Sequence, residues 1–273
     1  MKSTKLVFLG AGNMAEALCK GILAAELRRP EEVVLTDVRP ERLEELSARY
    51  GVETSQENAA AVAGAGTVFL CVKPQQMPEV LQALAAAGVD PGGPLWVSIA
   101  AGVSTASIEA VLGAGARVVR VMPNTPALVK AGAAGIAAGS DAGEDDLAAV
   151  REMMASVGVC VTVSEPELHA VTAISGSGPA YVFYLVESML RAAESMGFDA
   201  DTARTLAVQT VAGAAALLQE SGEAPEALRA RVTSKGGTTA AAVAAFDAAG
   251  AGAGLTAGVE AAARRSRELA GDA

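Results

Sequence analysis

A glycine-rich turn close to the amino terminus constrains the fold more than any other feature of this chain. Residues 10–15 read GAGNMA; they follow a short apolar stretch and open a segment with helical periodicity. In that context Gly10 allows a tight turn, Gly12 lets a pyrophosphate approach the backbone, and Ala15 lets the helix pack closely on the strand. Free N–H groups at the start of the helix favour a negative charge. The turn therefore predicts a dinucleotide-binding site.

Short apolar strands alternate with helix-period segments in the first part of the chain. The predicted strands are apolar or β-branched and are bounded by glycine, proline or polar residues: 5–9, 33–37, 67–72, 95–100, 117–122 and 158–163. Strands that are apolar throughout are typical of a parallel sheet whose two faces are covered by helices. The alternation predicts an α/β fold with a doubly wound, mostly parallel sheet.

After Glu165 the strand pattern stops, and only segments with helical periodicity follow. These segments are 179–196, 201–220, 225–231, 238–248 and 258–269. We therefore predict two domains, a dinucleotide-binding domain at 1–164 and an all-α domain at 165–273.

One of the later helices predicts a homodimer. Segment 201–220 carries charge only near its ends, so it has no solvated face along its middle. A domain of about a hundred residues seldom covers a helix completely by itself. We expect a second copy of the chain to pack against this helix as an isologous dimer. Burial inside a single chain is the alternative.

The composition limits the partners and the location. A formal net charge of −10 disfavours nucleic acid and membrane surfaces as partners, because a polyanion is repelled. The apolar stretch that ends at Gly10 is too short for a signal sequence, so we expect a cytoplasmic protein. Three widely spaced cysteines indicate neither a disulfide framework nor a zinc site. We interpret the single histidine, His169, as structural, and expect no metal.

Residues that follow the later strands are candidate cofactor contacts. Asp37 is placed to accept a hydrogen bond from a ribose 2′-OH, whereas Arg39 could pair with a 2′-phosphate. The carboxylate of Asp37 repels a phosphate and so disfavours NADPH, whereas Arg39 favours it. We therefore expect use of both NADH and NADPH. In CVKPQ at 71–75 and RVMPNTPA at 120–127, Lys73 and Asn124 either contact the cofactor or serve only as turn residues. The glycine turn favours contact.

A second glycine turn, VTSKGGTTAA at residues 232–241, precedes another helix. Its N–H groups and hydroxyls would form an anion receptor suited to a substrate carboxylate; the alternative is a capped helix start. SGSGPA at 175–180 marks a helix entrance that either faces the substrate or serves as a hinge. No strong catalytic acid is evident, which favours an imine over a ketone as hydride acceptor.

Taken together, these segments resemble the pyrroline-5-carboxylate reductase family along essentially the whole chain. The combination of GxGNMA, MPNTP, SGSGPAY and GGTT, in this order, carries the resemblance. It implies a Rossmann-type domain followed by an all-α dimerisation domain, and reduction of 1-pyrroline-5-carboxylate to L-proline with NADPH or NADH. Dimers in that family often assemble further, so a homodecamer of five dimers is also expected.

The resemblance also implies the site residues. The cofactor contacts would be Gly10, Ala11, Gly12, Asn13, Met14, Asp37, Arg39, Val72, Lys73, Pro74, Met122, Pro123 and Asn124. The substrate contacts would be Pro179, Val232, Ser234, Gly236, Gly237, Thr238 and Thr239, with the turn from Ser234 to Thr239 supplied by the second copy of the chain. Thr239 would be the catalytic residue, with its hydroxyl near the imine nitrogen. Lys235 departs from the pattern, because many family members have proline there.

Two other functions compete with this interpretation. A β-hydroxyacid dehydrogenase needs a lysine on the helix predicted at 179–196, and that segment contains none. A dinucleotide-binding sensor would not need the hydroxyl-rich turn that begins at Ser234.

Overall fold

The computed structural model describes residues 4–271 and contains an eight-stranded sheet with the order β3-β2-β1-β4-β5-β6-β7-β8. The strands are β1 (Leu6–Leu9), β2 (Val33–Thr36), β3 (Glu53–Ser55), β4 (Thr67–Leu70), β5 (Leu95–Ser98), β6 (Arg117–Met122), β7 (Gly132–Ala138) and β8 (Gly158–Thr162). Neighbouring strands are parallel, except for the antiparallel pair β6 and β7. The predicted α/β fold with a mostly parallel sheet is confirmed.

Helices connect the strands and then form the rest of the chain. They are α1 (Asn13–Ala24), α2 (Pro40–Tyr50), α3 (Asn58–Val62), α4 (Met77–Ala86), α5 (Thr105–Leu112), α6 (Glu144–Ala155), α7 (Leu168–Val171), α8 (Gly178–Ser195), α9 (Ala200–Ser221), α10 (Pro225–Arg231), α11 (Thr238–Ala248) and α12 (Ala251–Ala270). No strand follows β8 within the described part of the chain, as the sequence pattern predicts.

The sheet is buried on both faces. Phe8 belongs to the core on one side, while its neighbours Val7 and Leu9 belong to the core on the other, because successive side chains of a strand point in opposite directions. Phe8 also stacks on Phe69 of β4, with ring centroids 4.9 Å apart. Strands β1, β2, β4 and β5 are buried at every position, which explains why their sequences are almost entirely apolar.

The sequence pattern does not predict β3, β7 or α3, and it places the start of the last helix later than Ala251. Strand β3 is short and only partly buried, so it carries little apolar signal. Strand β7 reads GAAGIAA because α7 packs close to it. A Cβ at Gly135 would lie 2.8 Å from a methyl carbon of Val171, so a larger side chain there would displace the packing of α7 on β7.

The described residues form two compact units, one reaching to Ser177 and resuming at Ala262, the other spanning Gly178–Ala261. In the first unit, Nδ1 of His169 lies 2.9 Å from Oγ of Ser266, and both side chains are buried. The single histidine therefore joins α7 to the carboxyl-terminal part of α12. The division at residues 164 and 165 stays a prediction about where the dimerisation domain begins.

The second unit exposes much apolar surface when the chain is alone. Only Ala203 and Ala207 of α9 are buried, whereas Leu206 and Leu217 on the same helix are about half exposed. Phe183 on α8 is also exposed. A large number of exposed apolar side chains typically marks an interaction site.

Residues 4–271 contain neither a cluster of metal-binding side chains nor a single membrane-spanning helix. No group of three or more histidine, cysteine or acidic side chains is arranged to hold a metal ion. No single helix has the length and apolar composition needed to cross a membrane, although the bent pair Thr238–Ala248 and Ala251–Ala270 meets both criteria together.

Candidate active site

The first glycine turn lies where β1, β2 and β4 end, at the point where the strand order changes direction. Gly10 has a φ of +95°, and its N–H donates to the carbonyl oxygen of Thr36 over 2.9 Å. A Cβ at Gly10 would lie 2.9 Å from the carbonyl carbon and oxygen of Cys71. Both the left-handed backbone and the close packing therefore require glycine at this position.

The turn leads into a helix start that no side chain caps. Gly12 is the N-cap of α1, with an extended backbone (φ −73°, ψ −179°) and no side-chain hydrogen bond at the cap. A Cβ on Gly12 would meet no atom within 4 Å, so this side of the turn is open. Free N–H groups beside an open glycine fit a pyrophosphate, and contact of Gly10 and Gly12 with a cofactor stays a prediction.

Asp37 anchors the turn and pairs with Arg39. Its Oδ2 accepts the N–H of Ala11 over 3.0 Å, and Arg39 donates to the same carboxylate through its backbone and its guanidinium. Burial raises the pKa of Asp37, but the hydrogen bonds from Arg39 and Ala11 outweigh it, so the net pKa is lowered. The carboxylate is therefore ionised at neutral pH and partly neutralised by Arg39.

The segments after β4 and β6 hold the other predicted cofactor contacts. Leu70 pairs with Leu9, so the segment with Val72, Lys73 and Pro74 continues from the strand next to β1. The side chain of Lys73 is exposed, and its backbone begins a short 3-10 turn.

Asn124 is buried and has a structural role. Its Nδ2 donates to the carbonyl of Ser175 over 3.0 Å, and its Oδ1 accepts the N–H of Ala133 over 2.9 Å. It thereby fastens the segment Met122-Pro123-Asn124 to β7 and to the segment after α7. The turn-residue interpretation of Asn124 thus has structural support, and contact with a cofactor stays a prediction.

The sequence does not predict the π-helix at Thr172–Gly176. Its wider turn is closed by the N–H of Ser177, which donates to the carbonyl of Thr172 over 2.8 Å. Gly176 is packed so closely that a Cβ would lie 2.7 Å from Cε of Met122. Short π segments within helices are often found at functional sites. The cluster of small residues at 172–178 is the only sequence signal for it.

The second glycine turn lies in the second unit and resembles the first in one respect. Gly237 is the N-cap of α11, with an extended backbone (φ −82°, ψ 173°) and no side-chain hydrogen bond at the cap. Gly236 has a φ of +74°, and the N–H of Gly237 donates to the carbonyl of Ser234 over 3.0 Å. A Cβ on Gly237 would lie 2.5 Å from Oγ of Ser234, so a side chain here would displace that hydroxyl.

The alternative of a hydroxyl-capped helix at this turn is therefore not observed. Thr233 uses its hydroxyl on the carbonyl of Arg229 over 2.6 Å, outside the helix start. The hydroxyls of Thr238 and Thr239 make no hydrogen bond with any residue in the range 4–271. They are free to bind a ligand. Val232, which precedes the turn, is exposed, and Pro179 is the second residue of α8.

Cysteine chemistry is not supported at this site. Burial raises the pKa of the Cys19 thiol to about 12, and burial also raises the pKa of Cys71 and of Cys160. Nucleophilic catalysis needs a thiolate, and raised pKa values keep these thiols protonated.

Comparison with known proteins identifies the family. A family model for pyrroline-5-carboxylate reductase dimerisation matches residues 165–269, and one for NADP oxidoreductase, coenzyme F420-dependent, matches residues 5–102. The pyrroline-5-carboxylate reductase of Pseudomonas aeruginosa is 41% identical over 276 residues, covering 99% of this chain and 98% of the relative. This chain belongs to the pyrroline-5-carboxylate reductase family.

Solved structures of pyrroline-5-carboxylate reductases share the fold. The one from Coxiella burnetii has a TM-score of 0.91 at 35% identity, with 98% of each chain covered. The pyrroline carboxylate reductase of Plasmodium falciparum, solved with NADP bound, has a TM-score of 0.87 at 26% identity, with 99% of each chain covered. The resemblance inferred from the sequence motifs is confirmed, as is a Rossmann-type domain followed by an all-α dimerisation domain.

Proposed function

We propose that this protein reduces 1-pyrroline-5-carboxylate to L-proline with NADPH or NADH. The observation that carries the proposal is the occurrence of two glycine-capped helix starts, at Gly12 and Gly237, that no side chain closes. The reaction needs two anion sites, one for the cofactor pyrophosphate and one for the substrate carboxylate. Sequence identity of 41% with a named reductase over the full length supports the same activity.

The cofactor binds at the first turn in this account. Gly10 to Met14 would hold the pyrophosphate, and Asp37 with Arg39 would contact the adenosine ribose. Val72 to Pro74 and Met122 to Asn124 would complete the cofactor site. When bound, the nicotinamide supplies the hydride, so the protein needs mainly to bind, orient and exclude water. Because the nicotinamide supplies the hydride, the protein needs no strong catalytic acid or thiolate, and none is obvious in the sequence.

The substrate binds at the second turn, which a second copy of the chain contributes. Ser234 and the segment Gly236 to Thr239 would hold the carboxylate through N–H groups and hydroxyls. Val232 would pack on the pyrroline ring, and Pro179 would lie against the nicotinamide and the substrate. The free hydroxyl of Thr239 would form a hydrogen bond with the imine nitrogen. This bond would stabilise the nitrogen as its charge or protonation changes during reduction.

The dimerisation domain, residues 165–273 in our proposal, forms the homodimer. The exposed apolar side chains of α8 and α9 support an interface built from these helices, because a single chain leaves them uncovered. Assembly of five dimers into a decamer, and residence in the cytoplasm, are further parts of the proposal. The acidic net charge of −10 supports small-molecule partners over nucleic acid or membrane surfaces.

A spectrophotometric assay tests the activity. Purified protein is mixed with NADPH or NADH, and loss of the reduced nicotinamide is followed after addition of 1-pyrroline-5-carboxylate. The proposal expects both cofactors to be consumed and proline to form in equal amount. Protein that binds NADPH but does not consume it would instead support a dinucleotide sensor.

A further inference from the structure

The peptide groups on both sides of Ala11 are held by side chains from outside the glycine turn. The N–H of Ala11 donates to Asp37 over 3.0 Å, and its carbonyl oxygen accepts Nε of Arg42 over 3.0 Å. Ala11 is completely buried. Arg42 lies on α2, so a helix that contributes nothing else to the predicted cofactor site contacts the centre of the turn.

Arg42 is itself fixed by two carboxylates. One terminal nitrogen donates to Glu45 over 2.7 Å, and the other forms a short hydrogen bond with Glu16 of α1. Its side chain is only 14% exposed, so the guanidinium has little freedom to move. All three guanidinium nitrogens of Arg42 are therefore hydrogen-bonded, and only Nε is directed at the turn.

The planarity of the peptide bond links Arg42 to the open side of the turn. In a trans peptide the C=O and the following N–H point in opposite directions. When Arg42 holds the carbonyl of Ala11, the N–H of Gly12 is directed away from Arg42. We propose that Arg42 is a positioning residue that orients the Gly12 N–H for the cofactor pyrophosphate. This inference rests on the proposed function for its cofactor.

The hydrogen bonds of Arg42 also reduce electrostatic repulsion between Glu16 and an anion bound at the turn. Glu16 lies in the first turn of α1, where its carboxylate would repel a bound pyrophosphate. Arg42 and Arg49 both donate to Glu16, and Tyr50 adds a hydrogen bond of 2.8 Å. Glu16 and Glu45 with these two arginines sum to zero charge. The anion site is thus flanked by a neutral cluster.

Arg49 supplies a matched control. It contacts Glu16 and Glu45 as Arg42 does, each over 2.5 Å, but makes no contact with the turn. Arg42→Ala, Arg42→Lys and Arg49→Ala are compared with the unaltered protein by direct titration with NADPH and with ADP-ribose. ADP-ribose carries the pyrophosphate without the nicotinamide, so it reports on the turn itself. Thermal unfolding shows whether each variant is folded.

We expect Arg42→Ala to raise the Kd of NADPH and of ADP-ribose by the same factor, roughly tenfold, because an oriented donor to a charged group is lost. Arg42→Lys keeps the charge but not the guanidinium geometry, and should raise both values several-fold. Arg49→Ala should stay within about twofold of the unaltered protein, because Arg49 is half exposed, so solvent screens the loss of its charge, and the hydrogen bond from Arg42 to the turn is left intact. At saturating NADPH, the KM for 1-pyrroline-5-carboxylate and kcat should change little in the Arg42 variants.

Equal Kd values for the Arg42 and Arg49 variants would overturn the proposal, as would an Arg42 effect confined to kcat. If Arg42→Ala does not fold, Arg42→Lys decides the question by the same criterion. Because binding is measured without substrate, the two proposals can fail separately. Tight NADPH binding without turnover contradicts the reductase assignment alone, whereas a normal Kd in Arg42→Lys contradicts only the positioning role.

Discussion

The guanidinium of Arg39 and the carboxylate of Asp37 form a two-point ion pair, with Nε 2.8 Å from Oδ1 and a terminal nitrogen 3.1 Å from Oδ2. Asp37 is largely buried and also holds the glycine turn, whereas the side chain of Arg39 is 60% exposed. The Asp37 carboxylate, which would repel a 2′-phosphate, is thus already paired. The exposed guanidinium of Arg39 is available to bind the phosphate. Use of both cofactors is compatible with this pair.

Arg39→Ala should shift cofactor use toward NADH. Without the guanidinium, the ionised Asp37 repels a 2′-phosphate but still accepts a ribose hydroxyl. We expect kcat/KM for NADPH to fall roughly tenfold while that for NADH changes less than about threefold. Arg29→Ala is the control, because Arg29 pairs with Glu32 before β2, at the other end of that strand. An unchanged ratio of the two kcat/KM values would show that Arg39 does not bind the 2′-phosphate.

Gly12→Ala should separate cofactor binding from folding. A Cβ at this position meets no atom within 4 Å, and the φ of −73° suits any residue, so the melting temperature should be unchanged. The added methyl group would occupy the space that a pyrophosphate needs, so we expect the Kd of NADPH to rise roughly tenfold or more. Gly143→Ala is the matched control, since Gly143 is the N-cap of α6 and is equally open. Similar Kd values for the two variants would place the pyrophosphate elsewhere.

Glu16 should make the stability of the protein depend on pH in the acid range. Burial raises its pKa, but hydrogen bonds from Arg42, Tyr50 and Arg49 outweigh that effect and lower the pKa below the ordinary value of 4.5. The contribution of Glu16 to stability is therefore complete above about pH 4.5 and is lost as the pH falls through the lowered pKa.

Glu16→Gln tests this pH dependence by urea unfolding at several pH values. At neutral pH the variant should lose about 1–2 kcal/mol of unfolding free energy, because the ion pairs of Glu16 with Arg42 and Arg49 are replaced by weaker hydrogen bonds to an uncharged amide. The difference in unfolding free energy between Glu16→Gln and the unaltered protein should become smaller as the pH drops below 4.5. A gap that is constant from neutral pH down to pH 3 would contradict the argument.

Leu206→Glu should break the homodimer. Leu206 lies on α9 and is 52% exposed in the single chain, so a charge there is harmless to a monomer but costly when a partner covers the helix. We expect sedimentation to show a smaller assembly than the unaltered protein forms, because the two copies of each dimer no longer associate. Val129→Glu, at an exposed apolar residue of the first unit, should leave the mass unchanged. A dimeric Leu206→Glu protein would place the interface away from α9.

Much of the fold follows from local patterns, and parts of it do not. The turn at Gly10 and Gly12 is predictable because its glycines, strand and helix are adjacent in the sequence. Strand β7 is not predicted because it consists mainly of small residues, which carry little strand signal. Gly135 is small because Val171 packs against it, and this contact exists only in the folded chain. The π-helix at Thr172–Gly176 has no periodic signature of its own.

The site shows the same division between local and long-range information. The sequence places Asp37 near the turn, and the structure has it hydrogen-bonded to Ala11. Arg42 could not be predicted, because it meets Ala11 across 31 residues of chain and carries no motif. The assignment of Ser234 to Thr239 as substrate contacts depends chiefly on the family resemblance, because a glycine turn before a helix fits many functions.

The most direct measurement of the central claim is turnover of 1-pyrroline-5-carboxylate by the unaltered protein, by Thr239→Ala and by Thr239→Ser. We expect the unaltered protein to convert the imine to proline with equal loss of NADPH. Thr239→Ala should lower kcat on the order of a hundredfold while leaving NADPH binding intact, and Thr239→Ser, which keeps the hydroxyl, should retain most of the activity. A folded protein that binds NADPH yet leaves the imine unreduced would contradict the account.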